Sequence, residues 1–237
     1  MSTAVSARVA ALGPQVSLVI PAHDEVATIA QVIAAARAAV PSLGQVLVVD
    51  DGSSDGTAEA ARGVADDVLV LRENRGKGEA LRAGVAAATC PILAFIDADG
   101  QDDPGELPDL LDALTDDVAM VIGSRFIGTL EDGAITFKNH LGNRLLTGCF
   151  NVLYSSRITD TQAGFRVVRR EALAVEELRA VRYEIETELT LHVLNRGGRV
   201  LEVPVTRSAR GRGASGFATA RDGLRILRRM VRGKIEG

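Results

Sequence analysis

The chain of 237 residues contains no tryptophan, two tyrosines and six phenylalanines, so aromatic residues make up only 3% of it. A core with so few rings must be packed from Ala, Val and Leu, which favours helices laid on a Val-rich sheet. Cysteine is equally scarce. Cys90 and Cys149 lie outside any C-x-x-C spacing, which excludes a thiolate metal cluster and suits reduced thiols better than a disulfide. No apolar run approaches the roughly 20 residues that a membrane-spanning helix requires. The opening MSTAVSARVAALGPQ has one Arg and only a weak apolar run, so residues 1–14 are expected to form a flexible leader and not a signal peptide. Two nucleotide signatures are also missing. No G-x-G-x-x-G follows the first apolar run and no G-x-x-x-x-G-K-[ST] occurs, which argues against a dinucleotide fold and a phosphate-loop ATPase.

What is present is an alternation. VSLVIP at 16–21, VLVVDDG ending at Gly52 and ILAFIDADG at 92–100 are apolar runs of the kind buried on both faces of a parallel sheet. Between the first two, Val26, Ile29, Val32, Ile33 and Ala36 recur at helical spacing, giving a β-α-β unit. Helices are expected over 53–65, 76–88 and 104–114, with strands at 68–71 and 118–126. The length calls for one α/β domain, a mainly parallel Rossmann-like sheet flanked by helices, over 15–206. A long helix is expected over 135–157, with Leu141, Leu145, Phe150 and Leu153 as its apolar residues. A strand ending near Pro204 leads into a mobile basic loop, RSARGRGASG, at 207–216. A C-terminal amphipathic helix at 217–237 would bury Phe217, Ala220, Leu224, Leu227 and Val231 and turn Arg221, Arg225, Arg228 and Arg232 away.

Charge is distributed unevenly. The net charge is -4, yet residues 196–237 hold eleven Arg or Lys against Glu202, Asp222 and Glu236. Stacking aromatics are nearly absent from that tail, so a nucleic-acid partner is not expected. The tail would instead close over a diphosphate or lie against an anionic membrane.

The chemistry is carried by carboxylates at strand ends, where open parallel sheets collect ligands. Asp50 and Asp51 follow the second strand; Asp97 and Asp99 flank Ala98 after the fourth apolar run. Asp97 and Asp99, with Gln101 as a further oxygen ligand, can approach one hard cation, Mg²⁺ or Mn²⁺, and leave room for diphosphate oxygens and water. An Asp-rich capping turn is the structural alternative. Asp51 is placed to accept a hydrogen bond from a base or ribose. Arg72, Arg75 and Lys77 cluster at a helix start, a suitable place for phosphate, with Lys77 between two glycines the leading candidate.

PAHDE at 21–25, VVDDGSSDGT at 48–57, NRGKGEALRAG at 74–84, DADGQDDP at 97–104, GSR at 123–125, DTQAGFR at 160–166 and YEIETEL at 183–189 together resemble the inverting family 2 glycosyltransferases of the GT-A fold. Within that family the chain is most similar to the polyprenyl-phosphate (dolichyl-type) mannose or glucose synthases. The resemblance implies that Pro21, Ala22, Asp24 and Glu25 line the nucleoside pocket of a GDP- or UDP-hexose donor and that Asp51 contacts the base. It implies that Asp97, Ala98 and Asp99 hold ribose, diphosphate and metal, with Gln101 at the metal. Lys77 and Arg125 would reach phosphate, and Asp160, Gln162 and Arg166 would sit beside sugar and acceptor. In the tail, Arg210 and Arg212 precede GASGF where such synthases carry an Arg before a G-E-S-K-like segment; the Lys is missing here. PAHDE also departs from the usual P-x-x-N-E.

The implied work is transfer of a hexose to a polyprenyl phosphate at the cytoplasmic membrane face, or to a soluble hydroxyl acceptor. A phosphate acceptor is already anionic and needs only cations to hold it. A hydroxyl acceptor needs a carboxylate base, and Asp160 is the first candidate. Glu184 and Glu186 read more naturally as the exposed face of a helix.

Overall fold

The computed structural model describes residues 6–209 and 220–236. Continuous apolar runs do become the buried strands. β1 (Val16–Ala22), β2 (Gln45–Asp50) and β4 (Ile92–Phe95) pair in parallel, β1 lying between the other two. β3 (Asp67–Val70) adds a largely exposed edge beside β2. On the other side come β6 (Arg166–Arg169), antiparallel to β4, then β5 (Met120–Leu130) and β7 (Val200–Arg207), parallel to each other. The single seven-stranded sheet runs β3-β2-β1-β4-β6-β5-β7, as expected mainly parallel.

Alternate residues of these strands feed two cores. Leu18, Ile20, Val46 and Val48 face α2 (Ile29–Ala39) and α5 (Leu107–Ala113). Val19, Leu47, Val49 and Phe95 face the opposite layer, which is built from α4 (Lys77–Ala87), α6 (Phe137–Tyr154), α7 (Ile185–Asn195) and α8 (Ala220–Glu236). The short α3 (Thr57–Arg62) links β2 to β3.

Three expectations change, and the two faces of α6, which the sequence left open, are resolved. Residues 6–14 are not a flexible leader: Ser6 caps α1 (Ala7–Leu12) by accepting from the Val9 N–H, and Val9 is buried against the first core. Arg207, assigned to the mobile loop, is the last residue of β7 and is buried. On α6, Leu141 and Leu145 face outward while Asn143, Leu146, Thr147 and Phe150 face inward. On α8, Asp222, Ile226 and Met230 are buried, and Leu224 and Val231 are exposed. A helix that is apolar on two sides offers two candidate stripes, and only its neighbours decide which is covered. Phe217, like the rest of 210–219, lies outside the described residues.

Candidate active site

The strand order reverses direction around β1, and the loops after β1, β2 and β4 meet there, where ligands of open α/β sheets bind. A cleft of roughly 620 Å³ opens at this point, walled by all three loops, the start of α4, the inner side of α6 and the start of α7.

Three cationic side chains organise it. Lys77, at the first turn of α4, places its Nζ 2.6 Å from Asp97 Oδ1 and 2.7 Å from Glu186 Oε1. Burial alone would lower the Lys77 pKa, but Asp97 and Glu186 outweigh it and raise the pKa, so the ammonium stays charged. Its aim depends on Gly76, at φ +100°, and Gly78, which lets α4 start against the 180–181 backbone. Arg207 reaches in from β7: its Nη2 lies 3.4 Å from Asp99 Oδ2 and donates to Gln101 Oε1 at 2.9 Å, while its Nη1 is 2.7 Å from Asp102 Oδ2. Arg125, two residues after Gly123 of β5, is the third.

The two aspartates of the D-A-D turn therefore differ. Burial opposes ionisation of Asp97, yet Lys77 and Arg207 hold its pKa below the ordinary value. Burial, reinforced by the charge of Asp97, pushes Asp99 up despite Arg207. Asp99 and Gln101 converge on one guanidinium nitrogen, and two hard oxygens directed at one positive point also fit Mg²⁺ or Mn²⁺. Among the described residues no three His, Cys, Asp or Glu side chains gather to hold a metal.

Pro21, Ala22, Glu25, Asp51, Lys77, Asp97, Ala98, Asp99, Gln101, Arg125 and Gln162 all line the cleft. Others do not. Asp24 lies outside the lining; at φ 55° it turns outward and accepts from the Ser54 N–H, tying the first loop to the second, and His23 takes the place at the wall. Both Asp51 oxygens accept backbone N–H groups, from Arg75 at 2.8 Å and Gly76 at 2.7 Å, so its first task is to hold the loop before α4.

Asp160 is not placed as a base. It is fully buried, and its two oxygens form a fork with Arg125, Nε to Oδ2 at 2.6 Å and Nη2 to Oδ1 at 2.8 Å. Burial would lower the Arg125 pKa, but Asp160 raises it. Arg166 is not at the cleft either: it is 1% exposed and donates to the Ala163 and Glu186 carbonyls and to Thr190 Oγ1, bracing α7. Gln162 keeps its place, donating to Thr187 Oγ1 at 2.9 Å. Arg210 and Arg212 lie outside the described residues.

Three features escaped sequence reasoning. Glu186, read as an exposed helix residue, is 3% exposed because α7 is buried on all sides. Arg207 had no periodic signal to separate it from the other tail arginines. Thr136, Asn139 and Asn143 of the α6 region enter the wall, on a helix whose motif content was low; two asparagines at i, i+4 were the available clue.

A polyprenol monophosphomannose synthase from Mycolicibacterium smegmatis is 32% identical over 212 residues, covering 84% of this chain and 79% of its own. Glycosyltransferase AglJ from Haloferax volcanii is 32% identical over 219 residues, covering 92% of this chain and 71% of its own. Among solved structures, glucosyl-3-phosphoglycerate synthase from Mycobacterium tuberculosis, in complex with Mn²⁺ and UDP-glucose, superposes with a TM-score of 0.74 at 26% identity over 94% of this chain and 82% of that one. The sheet is thus the GT-A arrangement. The Glycosyl transferase family 2 pattern matches residues 17–175, more than half of the chain, and the chain belongs to this family of glycosyltransferases.

Proposed function

We propose that this glycosyltransferase moves a hexose from a GDP- or UDP-hexose to a polyprenyl phosphate, with inversion at the sugar carbon. The observation that carries the acceptor class is the Arg125–Asp160 fork. The leading base candidate has both oxygens committed to a buried guanidinium, while Lys77, Arg125 and Arg207 put three cations around one cleft. Such a site suits two anions, a donor diphosphate and an acceptor phosphate that needs no deprotonation. The polyprenol monophosphomannose synthase among its relatives, and an undecaprenyl-phosphate mannosyltransferase from Micrococcus luteus at 32% identity, support the same class.

Pro21, Ala22, His23 and Glu25 would hold the nucleoside, and Lys77 and Arg207 the diphosphate. Asp99 and Gln101, with Asp97 beside them, would bind Mg²⁺ or Mn²⁺, which when bound offsets the negative charge of the leaving diphosphate. Arg125 would steady the acceptor phosphate and Gln162 the sugar. Orientation then supplies most of the rate, by keeping the phosphate oxygen opposite the leaving group. A second reading keeps the donor and uses a soluble hydroxyl acceptor; the likeness to the glucosyl-3-phosphoglycerate synthase complexes is the observation that favours it.

The test offers radiolabelled nucleotide sugars, with Mn²⁺ or Mg²⁺, to a short-chain polyprenyl phosphate and separately to a pool of polar hydroxyl acceptors. Label in the organic phase, lost on adding EDTA, is expected. Label confined to water-soluble products would overturn the lipid-phosphate reading.

A further inference from the structure

The helix α6 has a second side that the cleft does not use. Its inner face contributes Asn139 and Asn143 to the cleft wall; Asn143 is 4% exposed, and its Oδ1 has no hydrogen-bond partner among the described residues. Its outer face carries Phe137, Leu141, Leu145 and Val152, exposed at 84%, 58%, 68% and 83%. At 100° per residue these four fall within one quadrant, and they extend over about 22 Å of helix. Lone exposed apolar residues are ordinary, but four in one ridge on a single helix mark a surface meant to be covered.

The charges around this ridge indicate what covers it. From Gly133 to Thr159 the chain carries Lys138, Arg144 and Arg157 and no Asp or Glu, although Asp and Glu total 31 overall. Lys138 and Arg144 are exposed and flank the ridge on either side. α8 packs against α6, with Tyr154 Oη donating to the Met230 carbonyl at 2.6 Å and Lys234 Nζ 5.4 Å from the Tyr154 ring centroid. α8 repeats the pattern, exposing Leu224, Val231 and Ile235 beside exposed Arg225, Arg228, Arg232 and Lys234. Apolar side chains bordered by cations on an acidic protein complement the interfacial zone of an anionic bilayer. A second copy of this chain would bring like charges together along the same ridge.

We infer that the outer face of α6, flanked by α8, docks on an anionic phospholipid bilayer, inserting Phe137, Leu141, Leu145 and Val152 while Lys138 and Arg144, and Arg225, Arg228 and Arg232 of α8, meet lipid phosphates. The docked helix stands between bilayer and cleft, so a lipid phosphate leaving the surface passes along α6 toward Asn139, Asn143 and Arg125. This delivery step rests on the acceptor reading above; the docking itself does not.

The experiment is co-sedimentation of the full chain with vesicles of phosphatidylcholine alone or mixed with phosphatidylglycerol, neither containing any polyprenyl phosphate. Binding is expected only to the anionic vesicles. Replacing the ridge (F137S, L141S, L145S and V152S together) is expected to weaken it at least tenfold, and K138E with R144E by a similar factor, with circular dichroism unchanged. Because the chain has no tryptophan, Leu145→Trp gives a single reporter whose emission should shift to the blue on anionic vesicles. Val64→Trp, exposed on another part of the molecule, should not shift. Equal sedimentation of wild type and ridge variant would overturn the proposal. So would vesicle-independent dimerisation, seen by analytical ultracentrifugation, that the ridge variant abolishes. Transfer to a water-soluble short-chain prenyl phosphate is measured in parallel without vesicles. Its failure alongside intact vesicle binding overturns the acceptor reading only, and its success without vesicle binding overturns the docking only.

Discussion

At Asp160 the difference between an acid-base residue and a structural counter-ion can be measured. Asp160→Asn leaves the Arg125 guanidinium buried beside a neutral amide, and breaking a buried pair of this kind costs about 3–5 kcal/mol. Urea unfolding of the variant is expected to show that loss. A base, by contrast, would surrender kcat with stability nearly intact, and that result would return Asp160 to the chemistry. Lys77 offers the complementary case. Lys77→Met leaves Asp97 and Glu186 facing each other without a cation, so stability should fall by about 3 kcal/mol and nucleotide-sugar affinity, measured by calorimetry, by at least about tenfold. Adding Glu186→Gln should recover much of the stability and none of the affinity. Recovery of both would mean that Lys77 serves the fold and not the donor. That Asp97, Asp99 and Lys77 share one cleft was legible from a strand end and from a helix start between two glycines, whereas Gln162 came only from the family resemblance. The role of Glu186 was not legible, since a glutamate on a helix looks the same whether the helix lies on the surface or in the middle of a core.

Among the elements, α4 is positioned by what its glycines permit. A Cβ on Gly78 would stand 2.6 Å from the Val181 carbonyl carbon and 2.7 Å from the Ala180 oxygen. Both are backbone atoms that cannot rotate away. Gly78→Ala is therefore expected to cost about 1–3 kcal/mol and, by shifting Lys77, to raise the donor KM. Gly148→Ala on α6, where a Cβ meets nothing within 4 Å, is expected to be neutral or to gain up to about 1 kcal/mol. Thermal unfolding of the pair decides: equal Tm values would show that α4 does not depend on this contact. The strands were readable because burial on both faces leaves an unbroken apolar run. The buried face of α8 was misread, and that of α6 could not be read, because α6 is apolar on the inside and on the outside and only its neighbours choose between the two.

For the molecule as a whole, acid stability should carry a mark from His192. Burial on α7, only partly offset by Glu188, lowers its imidazole pKa. The folded protein therefore keeps His192 neutral where the unfolded chain takes up a proton, from about pH 6.5 downward. This contribution is complete above that pH and is lost as pH falls through the lower, folded-state pKa. Chemical denaturation at pH 7.5 and 5.0 is expected to show a smaller drop for His192→Gln than for wild type; parallel drops would place the acid sensitivity elsewhere.

Chain order by itself determined the alternation of strands and helices, the single mainly parallel sheet, the carboxylates at its strand ends and the family. These depend on periodicity and on short contiguous motifs, which a linear chain carries in full. Tertiary structure alone decided that Asp160 and Arg166 brace the site from within, that Arg207 joins Asp99 and Gln101 from a strand about a hundred residues away, and which stripe of α6 meets the core. Each of these is a question of which partner fills the space beside a side chain, and burial, pairing and pKa are properties of that neighbourhood, not of the residue.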